Sequence, residues 1–196
     1  MEIVPEPHVA PRTGQFLLSK PFLSDPWFGR KSVFLCDHDV DGTVGLVLDN
    51  GTGRRLVDVL PDAKNWGIDH EVFLGGPVHD DSLFYLHRLG DLVPDAMPVV
   101  PGLWLGGDFD GIREALAGGR AQPDSIRFFV GYSGWSAGQL DDEVQRSSWY
   151  VHDVPLEEKV RIAMDTEPGD LWRRLLSQKG PGFAQVTDLP IDPSLN

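Results

Sequence analysis

The chain has 196 residues, 41% of them hydrophobic, with ten Phe and one cysteine, Cys36. A chain of this length buries most of its apolar surface without metal or disulfide staples, so composition argues for one folded domain and against disorder. Thirty acidic residues against 17 Lys and Arg leave a formal charge of −13, which repels phosphate backbones and disfavours direct nucleic-acid binding.

The lone cysteine excludes an intramolecular disulfide, and no CxxC pair exists to hold zinc. Both features fit a reducing compartment. The first residues, MEIVPEPHVAPRTG, put acids and prolines where a signal peptide needs a basic start and an apolar run. No stretch approaches the ~20 apolar residues of a membrane span. The expectation is a cytoplasmic protein without a membrane partner. Its basic residues are scattered, clustering only as Arg30-Lys31, Arg54-Arg55 and Arg173-Arg174.

In chain order, residues 1–13 read as an extended or frayed arm. Phe16-Leu17-Leu18 begins a first strand that Pro21 closes. Ser24-Asp25-Pro26-Trp27-Phe28 reads as a turn leading into a short helical segment. Ser32 to His38 and Thr43 to Asp49 are β-type runs, and the intervening Asp41-Gly42 favours a tight antiparallel hairpin. Alternation puts Val33, Leu35 and Asp37 on one face of the first run and Phe34, Cys36 and His38 on the other. Both faces are mostly apolar until the strand end, so this strand is expected to be central.

Arg55 to Leu60 reads as a helical turn before Pro61. Glu71 to Leu74 and Leu83 to Leu89 read as strands on either side of Gly75-Gly76-Pro77. Pro98 to Leu105 is a β-like run broken at Pro101-Gly102. Asp108 is the expected N-cap of a helix whose Phe109, Ile112 and Leu116 recur at helical spacing, and Gly118-Gly119 ends it. Ile126 to Tyr132 is the strongest strand by composition, and Ser148 to Val151 is a short one. Two C-terminal helices follow, one starting near Pro155 and one near Pro168, where proline is tolerated. Leu171, Trp172, Leu175 and Leu176 supply the second helix's buried face, and Gly180-Pro181-Gly182 stops it. These elements predict an α/β chain of the α+β type. It is a single domain in which a mixed, largely antiparallel sheet or partly open barrel is packed by helices.

Read in order, GQFLLSKPFLSDPWFGRKSVFLCDH, DGTVGLVLDN, LGGPV, FFVGYSGWSAGQLDDE, SSWYV and LWRRLL resemble the YqgE/AlgH family. The similarity runs from about Gly14 to about Gly182. The longer LWLGGDFDGIREAL segment is close to one variant of that family. Members are bacterial proteins with no established activity, some carrying the label of transcriptional regulator. This chain departs from the family at Asp37, where Glu is common, and at Asp49-Asn50-Gly51-Thr52, where an Asn-(Arg/Lys)-Pro turn is common.

Several residue sets invite chemistry. Cys36 and His38 share a predicted strand face, but same-face neighbours lie ~6.5 Å apart and a Cys–His nucleophile needs contact near ~3 Å. A buried structural cysteine is the plainer reading. Asp37, Asp39 and Asp41 start an EF-hand spacing with Gly42 sixth, yet the twelfth position is Leu48 rather than the required Glu. A solvated acidic turn is preferred.

Gly131-Tyr132-Ser133-Gly134-Trp135 nearly matches the nucleophile elbow, with Trp135 where its last glycine belongs. The following Ser136-Ala137-Gly138-Gln139 shows no helical periodicity, so packing around Tyr132 and Trp135 explains these glycines better. Gly75-Gly76-Pro77-Val78-His79 and Gly106-Gly107-Asp108 fit no phosphate-binding pattern and read as tight turns. His38 and His87, at strand ends, read as hydrogen-bonded structural histidines.

These observations assign no catalytic set, metal or cofactor. The leading expectation is a non-enzymatic binding or regulatory protein with an unknown protein or small-molecule partner. Its candidate surface is His38, Gly76, Pro77, His87, Tyr132, Ser133, Trp135 and Gln139. The competing expectations are a hydrolase using Ser133 or Cys36 and a nucleic-acid-associated transcriptional regulator.

Overall fold

The computed structural model describes residues 9–66, 70–146, 148–167 and 169–189. The strands are β1 (Phe16–Ser19), β2 (Ser32–His38), β3 (Gly42–Val47), β4 (Gly51–Arg55), β5 (Glu71–Leu74), β6 (Val78–His87), β7 (Met97–Val100), β8 (Leu103–Leu105), β9 (Ile126–Ser136) and β10 (Trp149–His152). The helices are α1 (Leu56–Val59), α2 (Phe109–Ala117), α3 (Gln139–Gln145), α4 (Leu156–Asp165), α5 (Leu171–Gln178) and α6 (Pro181–Val186). Among the described residues no helix is long and apolar enough to cross a membrane.

The sheet runs in the order β10-β1-β2-β3-β9-β6-β8-β7, with β5 joining β9 and β4 joining β5. It is open rather than closed into a barrel, and antiparallel apart from the β5–β9 pair. Alternate residues serve opposite faces, which explains why the central strands are apolar throughout. Phe16, Leu18, Phe34 and Leu46 pack against α4, α5 and α6, where Ile162, Trp172, Leu175 and Val186 meet them. On the other face, Leu17, Val33, Leu35 and Val47 pack with Leu140 and Val144 of α3. Further along, Val72, Tyr85 and Phe128 pack with Leu56 and with Ile112 and Leu116 of α2.

Two backbone irregularities reset the alternation. In β2, Leu35 lies opposite Gly45 and Asp37 opposite Val44, so Cys36 is a bulge residue. Gly45 and Val44 point to opposite faces, and Leu35 and Asp37 therefore do too. The expectation that Cys36 and His38 share a face is corrected by this one extra residue.

In β9, Phe129 joins the core under α4–α6 while Trp135 joins the one under α3. Six residues of regular strand would put both on one side. Gly131, at φ +67°, supplies the reversal between them.

Several boundaries differ from expectation. The strand beginning at Ile126 continues through Ser133 to Ser136, and the strand expected at Leu83 starts at Val78. Residues after Gly138 are helical, because Leu140 and Val144, four apart, both reach the interior. Ser24–Phe28 is a turn only, in which the Asp25 carboxylate accepts from the N–H groups of Trp27 and Phe28. Asp108 caps α2 as expected, accepting from the Asp110 N–H at 3.2 Å.

Pro155 directly precedes α4, and α5 ends before Gly180. Pro181 then opens a further helix, at the first-turn position where its missing N–H costs nothing. Within the arm expected at 1–13, Pro11 is buried, while residues 1–8 lie outside the described residues. Pro168 lies outside them as well.

Candidate functional site

The glycine-marked segments meet because backbone packs directly on backbone. A methyl group at Gly75 would collide with the Gly131 carbonyl oxygen, and one at Gly76 with the backbone of Tyr132. In return, a methyl at Gly131 would sit 2.5 Å from the Gly76 oxygen. The carbonyl of Gly75 accepts both the Val47 N–H at 2.9 Å and the Ser133 hydroxyl at 3.0 Å. That single oxygen ties β3, β9 and the 75–77 turn together.

Beside this junction lies an open cleft of about 490 Å³. Val44 and Gly134 face each other across the β3–β9 pair, and Val78 and Tyr132 pair across β6 and β9. These four residues form its apolar floor. The Tyr132 ring is held between His79, stacked at 5.9 Å, and Phe84, edge-on at 5.1 Å.

Asp37, Asp39 and Asp41 form the wall. The Asp39 carboxylate accepts from the N–H groups of Asp41 and Gly42, which closes the hairpin turn. At its tip Val40 is 87% exposed.

The eight residues of the expected surface divide. Tyr132 borders the cleft, as does Trp135, although its indole is buried on the α3 side. His38 is half-buried, with Nδ1 2.7 Å from the Thr43 hydroxyl. Pro77 and Gln139 are exposed. Gln139 accepts from the Ser136 N–H at 3.0 Å and donates to Glu143 at 3.0 Å.

Gly76, His87 and Ser133 are buried, which corrects their placement at a surface. His87 accepts from the Leu89 N–H through Nδ1, so its Nε2–H donates to the Gly106 carbonyl at 2.9 Å. Burial pushes its pKa below the usual imidazole value. It is a neutral structural histidine.

Neither suggested nucleophile has a nucleophile's surroundings. Ser133 is fully buried mid-strand with its hydroxyl given to Gly75, whereas an elbow needs an exposed turn between strand and helix. Cys36 is buried in the largest core, its thiol directed at the Phe34 carbonyl 3.7 Å away. Burial, reinforced by the charge of Asp37, pushes that thiol well above the ordinary cysteine value.

Sequence reasoning missed Glu143. One oxygen of its carboxylate accepts the indole N–H groups of both Trp135 (3.0 Å) and Trp149 (2.8 Å). Phe28 completes that cluster at 6.1 and 5.4 Å from the two indoles.

A second charged centre also escaped notice. Arg127 is only 5% exposed. Its guanidinium donates to the carbonyls of Leu48, Ala163 (2.9 Å) and Thr166 (2.6 Å) and lies 3.9 Å over the Phe73 ring. It thereby clasps the end of β3 to α4 and the segment after it. Burial pushes its pKa down to about 10, against the pull of Asp49, Glu167, Asp165 and Glu71.

Asp49 is 4% exposed, and its Oδ1 has no hydrogen-bond partner among the described residues. Burial raises its pKa to about 6, opposed by Lys31, by the N–H groups of Asp49 and Ser32, and by Arg127. A cavity of about 410 Å³ overlies this centre. Its bordering Asp165 is engaged by Arg88 at 3.0 Å through both oxygens.

The AlgH-like family model matches residues 16–184. The chain belongs to the AlgH-like family. UPF0301 proteins of Bacteroides thetaiotaomicron and Cytophaga hutchinsonii are similar to it throughout. The first is 35% identical over 96% of this chain and 93% of the relative, the second 34% identical over 93% and 98%. The solution structure of AlgH from Pseudomonas aeruginosa superposes with a TM-score of 0.69 at 25% identity, covering 94% of this chain and 98% of that one. A crystal structure of a Corynebacterium diphtheriae protein matches equally well in fold, with a TM-score of 0.69 at 18% identity over 94% and 95%. The family is uncharacterised, so membership establishes the fold and leaves activity to be argued from the AlgH-like site itself.

Proposed function

We propose that this AlgH-like protein is a non-enzymatic binding protein that engages its partner at the Asp37–Tyr132 cleft. One observation carries the reading. Asp37, Val78 and Tyr132, from three separate family-like segments, border a single open cavity. The two nucleophile candidates are buried and committed to backbone carbonyls. A pocket of a few hundred Å³ with an apolar floor and a few polar walls has the make-up of a binding site. Any regulatory role then runs through a partner rather than through direct contact with DNA, since the cleft wall is acidic and the chain carries −13. A location in the cytoplasm fits a single, buried, unpaired cysteine.

The test is chemical labelling of the folded chain with a fluorophosphonate and with iodoacetamide. Ser133 and Cys36 are expected to stay unmodified until the protein unfolds. Selective reaction at either under native conditions overturns the reading in favour of a hydrolase. In a gel-shift titration, duplex DNA is expected to form no complex even at low ionic strength. A salt-sensitive complex would restore the DNA-binding regulator.

A further inference from the structure

We infer that the cleft docks a basic, extended segment of another protein, one carrying Lys or Arg on either side of an apolar residue. The inference rests on the proposed binding role and names its partner. Charge complementarity is the first argument. Asp37, Asp39 and Asp41 border the cavity, and among the described residues none of the three has an ion-pair partner. Some surface acids are paired, Asp165 with Arg88, Asp153 with Lys159 and Asp188 with Arg173, while others, such as Asp62, Asp91 and Asp95, have no ion pair among the described residues; what sets the three cleft acids apart is the cavity they border. The cleft wall therefore keeps its full attraction for a cation brought from outside.

The second argument is apolar. Val40 stands between Asp39 and Asp41 at the hairpin tip and is 87% exposed. Val40 itself does not line the cavity, but its neighbours Asp39 and Asp41 do, together with Val44, Val78 and Tyr132. A metal ion or a small polyamine would use the carboxylates and leave these surfaces wet. A peptide segment uses both, placing an apolar side chain on the valines and cationic ones against the acids. The cavity, about 490 Å³, is of the size that holds a few side chains rather than a folded domain. A Lys or Arg stem also packs along apolar surface while its charged end reaches the wall.

The test uses the full chain, isotope-labelled, titrated with a capped Gly-Lys-Leu-Lys-Gly peptide and followed by amide shifts. Expected are shifts confined to Asp37, Val44, Val78, Gly134 and their neighbours, weakening as salt is raised. The variant carrying Asp37→Asn, Asp39→Asn and Asp41→Asn keeps the turn acceptors. It is expected to lose about tenfold in affinity, the product of three exposed ion pairs each worth about twofold. Val40→Ser should weaken binding further.

Undiminished binding by the triple variant, or shifts spread away from the cleft, overturns the proposal. So does spermidine binding as tightly as the peptide, or self-association of the chain through this face in sedimentation. A Glu-Leu-Glu or Gln-Leu-Gln peptide that shifts the same amides as strongly as Lys-Leu-Lys sinks the basic partner and leaves the binding role standing. Cleft amides that stay silent with every peptide sink both.

Discussion

The molecule carries two charged centres at opposite ends of its central strands, and they are built on opposite rules. Around Arg127 every contact faces inward: three carbonyls from separate segments accept from one guanidinium, and an aromatic ring covers it. Around the β2–β3 hairpin three carboxylates stand at an open cleft with no cation among their described neighbours. Burying a charge costs several kcal/mol unless it is fully engaged, so the first centre exists only because its hydrogen bonds are made. The carboxylates there, Asp39 and Asp41 exposed and Asp37 half-buried, carry a much smaller debt, and of the three only Asp39 is tied to the fold, through the turn it closes. Charge that is satisfied speaks for architecture, and charge left free beside a cavity speaks for a partner.

Removing the clasp is the largest way to break that contrast. Arg127→Ala should cost about 3–5 kcal/mol by urea denaturation, because three carbonyls lose their donor and Asp49 loses one of the charges that offset its burial. Arg127→Lys should recover only part of that loss, since an ammonium cannot fork to three acceptors in one plane. A full rescue by Lys would reduce Arg127 to a generic positive charge.

The second test has the opposite sign. The folded state holds the Asp49 proton more tightly than the unfolded chain, with a pKa of about 6 against 3.8. Its protonation therefore favours folding: the contribution is complete below about pH 3.8 and lost as pH rises through about 6. Asp49→Asn mimics the protonated form and should stabilise the protein by up to about 3 kcal/mol at alkaline pH. The gain should vanish in acid. Measured as variant minus parent across pH, it is free of the opposing contribution of His87, which destabilises as pH falls. A destabilised Asn variant at alkaline pH would mean the Asp49 charge is needed by Arg127.

Next in size, Gly76→Ala sharpens the comparison by touching both readouts. Its methyl group meets the Tyr132 backbone, so about 1–3 kcal/mol should be lost as the turn shifts. The amides of Val78 and Tyr132 should move with it. Smallest of all, the triple Asn variant at Asp37, Asp39 and Asp41 should change stability by no more than about 0.5 kcal/mol per site, in either direction. A larger loss in its melting curve would mean these acids serve the fold.

Much of the architecture was legible in the sequence. The strands at Phe16, Ser32, Thr43, Glu71 and Ile126 and the cap at Asp108 follow from side-chain period and short-range hydrogen bonding. What escaped depends on chain meeting chain. The bulge at Cys36 has no local signature and reverses the faces of Asp37 and His38. The glycines of the 131–134 segment were readable as close-packing residues and those at 75–76 as a tight turn, yet that the two segments pack on each other was not. Helix α3 was hidden because only Leu140 and Val144 carry its apolar spacing amid acids.

The sequence pointed to segments of which Asp37, Val78 and Tyr132 border one cleft, while several of the residues chosen within them, Gly76, His87 and Ser133, are interior. His87 and Ser133 are enclosed by partners distant in the chain, the Gly106 carbonyl and the Trp104 ring for one and the Gly75 carbonyl for the other. Asp37, Asp39 and Asp41 were seen as an acidic turn, and only the fold brings Tyr132 and Val78 alongside them.

The order of the strands has a consequence for synthesis. The first strand sits inside the sheet, and its outer neighbour is a strand near residue 150: Phe16 pairs with His152 and Leu17 with Val151. The long strand from Ile126 to Ser136 likewise joins three partners made much earlier. A chain still on the ribosome therefore holds unsealed β edges until the strand near residue 150 has emerged, and such edges invite pairing with other chains. Truncation before that point should yield aggregation rather than a smaller folded unit.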